Sequence, residues 1–170
     1  AGSIDSQPPT ESNPQSVATR FGTPTPQPLG LHRHNLPMQT TPFIGRTREL
    51  SNLAELFRDP ATRLVTLLGP GGIGKTRLAL EAARAQLLNF EDGVFFVPLA
   101  PINSVENIPS AIADAVGFQF FEGMALRDQI SEYFHEKKVL LFLDNFEHIL
   151  AGTDLINEIL QASPNVKSLA

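Results

Sequence analysis

An α/β fold, an open parallel sheet with helices on its faces, is expected from three features of the chain. Short apolar runs at Leu64–Leu68, Val94–Val97 and Val139–Leu143 read as buried strands. Segments with apolar residues three and four apart alternate with these runs, giving the order β-α-β-α-β-α. Each connection is long enough for a right-handed crossover between parallel strands.

The first 41 residues stand apart. Eight of the 14 prolines fall within the first 42 positions, among Ser, Thr, Gln and Asn. That stretch has no period of 2 or 3.6 and too little apolar surface to offset the entropy of ordering it. It reads as a flexible, partly polyproline-like linker over residues 1–41, ahead of a core over 42–170. Pro24-Thr25-Pro26-Gln27-Pro28 is either a partner motif or an inert spacer, and His32-Arg33-His34 either a metal tract or solvated linker.

Within the core, Leu50, Leu53, Ala54 and Phe57 share one helical face, which places a helix over about Arg48–Arg58, stopped by Asp59-Pro60. Leu64–Leu68 is the first strand, ending in glycines. Lys75–Leu88, rich in Ala, Leu and Arg, is a helix. Val94–Val97 is the second strand, and Ile108–Val116 a helix that tolerates Pro109 in its first turn. Leu126, Ile130, Tyr133 and Phe134 build another helix, Val139–Leu143 the third strand, and Leu155–Leu160 a last helix.

Composition narrows the function. Asp and Glu outnumber Lys and Arg by 18 to 13, for a net charge of -5, so neither nucleic acid nor an anionic membrane is an expected direct partner. Without cysteine there is no disulfide, thiolate metal site or cysteine nucleophile. No apolar run approaches the ~20 residues that cross a bilayer. Ala1-Gly2-Ser3 leads into polar residues rather than a secretion signal, so a cytoplasmic location is expected.

The chemistry lies between the first strand and its helix. Gly69-Pro70-Gly71-Gly72-Ile73-Gly74-Lys75-Thr76 is a full match to G-x-x-x-x-G-K-[ST], the Walker A pattern or P-loop. Glycines let such a loop wind back until successive N–H groups ring a β-phosphate. The helix that follows turns its positive end to the same phosphates. Lys75 reaches the β- and γ-oxygens, and the Thr76 hydroxyl can ligate Mg2+. Ile73 inside the loop and Arg77 just beyond it complete the residues expected against nucleotide.

The third strand delivers Asp144 to its C-terminal end, where ligands of open α/β sheets bind. Alone it reads equally as a helix cap or a metal group. Paired with the loop it takes the Walker B role, holding Mg2+ through water. Next come Asn145, which cannot accept a proton at neutral pH, and Glu147, which is either a water-activating base or an acidic residue in a helix's first turn.

Phe43-Ile44-Gly45-Arg46, the glycine loop and Leu141-Phe142-Leu143-Asp144-Asn145-Phe146-Glu147 together resemble the nucleotide-binding domain of STAND-class ATPases. These are signal-transduction P-loop ATPases related to NB-ARC and AAA+ modules. The likeness is greatest to bacterial multidomain regulators: LuxR-type and antibiotic-regulatory transcription activators, and cyclase-linked relatives. In these a Pro-rich joint and residues like His34-Asn35-Leu36-Pro37 precede the module, so the resemblance covers about 34–170.

The resemblance implies a three-layer core of the additional-strand type, binding ATP or ADP with Mg2+. It implies that Phe43, Ile44, Gly45 and Arg46 pack over adenine and ribose. An apolar pair can cover a base while Arg46 pairs with phosphate or carboxylate, although Phe43-Ile44 alone reads as a core anchor. It also implies effector and sensor domains outside this segment and a nucleotide-dependent oligomer. A strand starting near Val166 is expected to insert between the first and third strands, with the family's sensor arginine and lid beyond it. Where many members carry a second acidic residue, this chain has Asn145. Three functions follow: a nucleotide-controlled switch with slow Mg-dependent hydrolysis, a module that holds nucleotide without turnover, and a small-molecule kinase. The kinase would need lid arginines between the second and third strands, where Arg127 is the candidate.

Overall fold

The computed structural model describes residues 32–170; most of the expected linker, including Pro24–Pro28, lies outside the described residues. Four strands form one parallel sheet: β1 (Leu64–Val65), β2 (Gly93–Pro98), β3 (Val139–Asp144) and β4 (Lys167–Leu169), in the spatial order β1-β4-β3-β2. The strand expected near Val166 therefore lies between the first and third strands. Ser168 sits opposite Leu64 on one side and Leu141 on the other. Helices α1 (Thr47–Arg58), α2 (Lys75–Arg84), α3 (Ile108–Val116), α4 (Leu126–Phe134) and α5 (Thr153–Ala162) complete the α/β architecture.

The apolar run of β3 explains the layering. Alternate side chains of a strand point to opposite faces, so a strand covered on both sides must be apolar throughout. Leu140 and Phe142 enter a core with Leu53 and Phe57 of α1 and Leu78 of α2. Val139, Leu141 and Leu143 enter another with Ile112 of α3, Ile130 and Phe134 of α4, and Ile159 of α5.

Two elements differ from expectation. The first apolar run alternates instead of being buried throughout: Val65 is core, whereas Leu64 is 42% and Leu68 89% exposed. Regular β1 covers only Leu64–Val65, although the ladder continues as the Leu67 N–H donates to the Ala170 carbonyl at 2.7 Å. Helix α2 ends at Arg84, short of Leu88, because the next N–H groups bond three residues back, Gln86 to Ala83 and Leu87 to Arg84.

The linker boundary at residue 41 also shifts. His34 bridges Val94 as a parallel partner, and Leu36 is buried. The Asn35 side-chain amide accepts from Phe96 N at 2.6 Å and donates to Phe96 O at 2.8 Å. That amide reproduces the donor–acceptor pair of a peptide, so residues 33–35 extend the sheet edge despite their polar composition. His34 thus serves the ladder.

At the opposite end of the sheet, two cations close helix C-termini. Arg63 donates through Nε to Val166 O at 2.9 Å and through Nη2 to the carbonyls of Leu160 and Ser163, at the end of α5. Lys167 Nζ donates to the carbonyls of Phe57 and Asp59, at the end of α1. Burial pushes the pKa of both groups below its ordinary value. Arg63→Met should strip the end of α5 of its donors and cost about 2 kcal/mol of stability, read as a lower urea midpoint at unchanged m-value.

Candidate functional site

Strand β1, the glycine loop and α2 follow one another as the motif requires. Gly72 and Gly74 have φ of 78° and 83°, a left-handed conformation that a side chain opposes. Their turns wind the loop back, and Gly74 serves as the N-cap of α2 without a capping side chain. The first N–H groups of the helix are therefore free of a side-chain cap. Lys75 folds over the loop, its Nζ donating to Gly69 O at 2.8 Å and Pro70 O at 3.4 Å.

Asp144 ends β3 beside this loop, and its Oδ1 accepts the Thr76 hydroxyl at 2.9 Å. Adjacent oxygens of an octahedral Mg2+ shell, with metal–oxygen distances near 2.1 Å, stand about 3 Å apart. Hydroxyl and carboxylate thus already have the spacing of two neighbouring ligands of one cation. Asn145 follows with φ of 62°. Asn tolerates this left-handed turn better than most residues, which gives it a backbone role directly after Asp144.

Two cavities meet at Lys75 and Leu67. One, of about 390 Å3, is lined by Gly71, Gly72, Gly74 and Thr76 facing Asp144, Asn145 and Glu147. The other, of about 440 Å3, lies between α1 and the loop, with Leu53, Leu68, Ile73 and Leu78 as apolar wall and Arg46, Glu49 and Asn52 as polar groups. Its size and mixed lining suit a heterocycle with a polar rim.

The sequence candidates are only partly brought together. Arg46 reaches the loop: in a left-handed conformation (φ 54°), it donates through Nη2 to the Ile73 carbonyl. Phe43 instead packs against the α1–α2 core, Ile44 is 85% exposed, and neither they nor Gly45 line the cavities described. Arg77 turns away, donating to Thr41 O at 2.6 Å and Pro42 O at 3.0 Å. The structure thus separates these residues from the loop's concave side. Arg127 pairs with Glu158 of α5. Glu49 and Asn52, which line the larger cavity, carry no signal in the sequence, because the helical period marks only the apolar face and their three-residue spacing looks like an ordinary solvated face.

A strand–loop–helix carrying Lys75 and Thr76, with a carboxylate at the end of a parallel strand one place beyond β4, defines a P-loop ATPase domain. The chain belongs to the AAA ATPase domain family, whose model matches residues 42–132. It is 42% identical over 109 residues to a Mycobacterium tuberculosis protein named "Putative HTH-type transcriptional regulator", covering 64% of this chain and 12% of that one. An uncharacterized M. tuberculosis protein is 32% identical over 138 residues, covering 81% of this chain and 35% of its own length. A WD repeat-containing protein of Nostoc sp. is 31% identical over 129 residues, covering 66% and 10%. The chain thus spans about an eighth to a third of the first two relatives. Among solved structures, the Aeropyrum pernix ORC2 protein in ADPNP–ADP complexes shares the fold, with a TM-score of 0.56 at 18% identity over 73% of this chain and 40% of that one. No helix among the described residues is long and apolar enough to cross a membrane.

Proposed function

We propose that residues 42–170 form an ATP- and ADP-binding switch module of the STAND type, with slow Mg2+-dependent hydrolysis, inside a multidomain signalling ATPase that regulates transcription. The observation that carries this reading is the Thr76–Asp144 contact at the mouth of the wound loop. It joins the two halves expected of a phosphate and magnesium site. In this reading Lys75 holds β- and γ-phosphate oxygens, and Gly69, Gly71, Gly72 and Gly74 give the loop its curvature. The base occupies the larger cavity beside Arg46 and Ile73. Mg2+, when bound to Thr76 and Asp144, offsets phosphate charge. ATP and ADP then favour different arrangements of the whole protein through their different affinities for the two. Support also comes from the relative named as a transcriptional regulator and from the ADPNP and ADP of the ORC2 complexes. The resemblance supports a cytoplasmic location and nucleotide-dependent oligomers. Titration of ATP and ADP by calorimetry, with Mg2+ or with EDTA, tests the module; absence of binding in both conditions sinks it.

A second reading, nucleotide held without turnover, draws on Asn145, whose left-handed turn puts an amide where a base was expected. Glu147 is exposed and lines the same cavity, so it is the remaining carboxylate able to orient water there. Glu147→Gln should lower phosphate release by about a hundredfold, the lower end of what a general base contributes, and leave ADP affinity within twofold. Equal release by the variant and the parent chain would remove Glu147 from the mechanism. Arg127, the candidate lid arginine of the kinase reading, pairs with Glu158 of α5 at the surface.

A further inference from the structure

One face of α2 does work that the glycine loop does not explain. Arg77 and Arg84 are seven residues apart, two helical turns, and so lie on the same side. Arg84 Nη2 donates to Pro37 O at 3.1 Å, and Arg77 Nη2 donates to Thr41 O and Pro42 O. The segment from Pro37 to Pro42 thus runs antiparallel along α2, with each end clasped by a guanidinium. Both Nε atoms are buried without a hydrogen-bond partner. The carbonyls of the segment therefore compensate two cations that are already partly withdrawn from water.

Both ends of this strap are anchored in structure of consequence. Upstream, Asn35 and His34 pair with β2, and the Arg33 carbonyl accepts from Val94 N at 3.0 Å. Downstream, four residues past Pro42, Arg46 grips the carbonyl of Ile73 inside the loop. Sheet edge, α2 and glycine loop are joined through residues 36–45.

We propose that Arg77 and Arg84 are positioning residues: by clasping the Pro37–Pro42 strap they hold Arg46 against the loop, so that nucleotide affinity depends on the strap being docked. This rests on the nucleotide-binding reading above. Coupling of this kind is reciprocal, so bound nucleotide must also hold the strap down. A domain preceding residue 33 that pulled on the strap would then loosen nucleotide without touching it. Arg77 acts here through Arg46, in place of the direct nucleotide contact expected from the sequence.

The test compares MgADP with magnesium tripolyphosphate, which fills the loop but has no base or ribose. Arg84→Met, remote from the loop, should weaken ADP about five- to tenfold and leave tripolyphosphate within twofold; Arg77→Met should do the same. In the unaltered chain, saturating MgADP should slow amide exchange at Met38–Thr41 and Phe43–Arg46, a readout that needs no variant and no assumption about its folding. ADP binding with unchanged exchange there, and an Arg84→Met affinity equal to the parent's, would overturn the inference alone. A parallel loss of tripolyphosphate would overturn it too, by showing damage to the loop itself. Failure of the unaltered chain to bind ADP would overturn the nucleotide reading and this inference with it.

Discussion

Lys75→Ala should weaken ATP binding by about 2–4 kcal/mol, roughly 30- to 1000-fold, because it removes a charge-assisted contact to the β- and γ-phosphates. Nζ now rests on the carbonyls of Gly69 and Pro70, at an exposed loop where water can replace it. The thermal midpoint of the free chain should therefore stay within about 2 °C of the parent's, as for surface changes that leave nothing buried unpaired. Calorimetry and thermal melts on the same sample separate the two effects. Unaltered ATP affinity would refute the assignment of the loop, and a collapsed midpoint would mean that Lys75 is structural.

Leu141→Ala carries the largest expected cost in stability. Leu141 is fully buried at the middle of β3, pairing with Phe95 on one side and Ser168 on the other. It feeds the core beneath α3, α4 and α5, and truncation there should cost about 2–5 kcal/mol, set by how far the cavity can collapse. Urea denaturation measures it. Because the same strand presents Asp144 to the loop, added MgADP should recover part of the loss, in proportion to how far the site survives. A loss below about 1 kcal/mol would mean that the two helical layers are more loosely coupled through β3 than the burial implies.

Much of this could be read from the chain because a few signals were unambiguous. The apolar run of Val139–Leu143 required burial on both faces, and the structure puts it beside the centre of the sheet. Ile108–Val116 has the predicted bounds, with Pro109 in the first turn and Gly117 in the left-handed turn that ends it. The glycine loop was legible because phosphate binding constrains backbone and side chain together. Illegible were interactions in which a side chain meets a distant carbonyl. Nothing in the local pattern around Arg63, Lys167 or Arg84 tells which helix end or strap will face it. Asn35 was hidden for the same reason, since an amide that imitates a peptide looks like any polar linker residue until the sheet edge is in place. Arg77 was misplaced by proximity in sequence: one position past the loop, the helix has already rotated it to another face.

The order of the strands has a consequence for synthesis. β1 is made first of the four described strands, yet its partner residues Ser168 and Leu169 follow about 100 residues later, which at 5–20 residues per second is some 5–20 seconds of translation. During that interval the Leu64–Leu68 segment is apolar and has not met β4. Any ribosome pause before Val166 prolongs that interval. A nascent chain of this domain is thus most exposed to chaperones, and to its neighbours on a polysome, just before its central strand emerges.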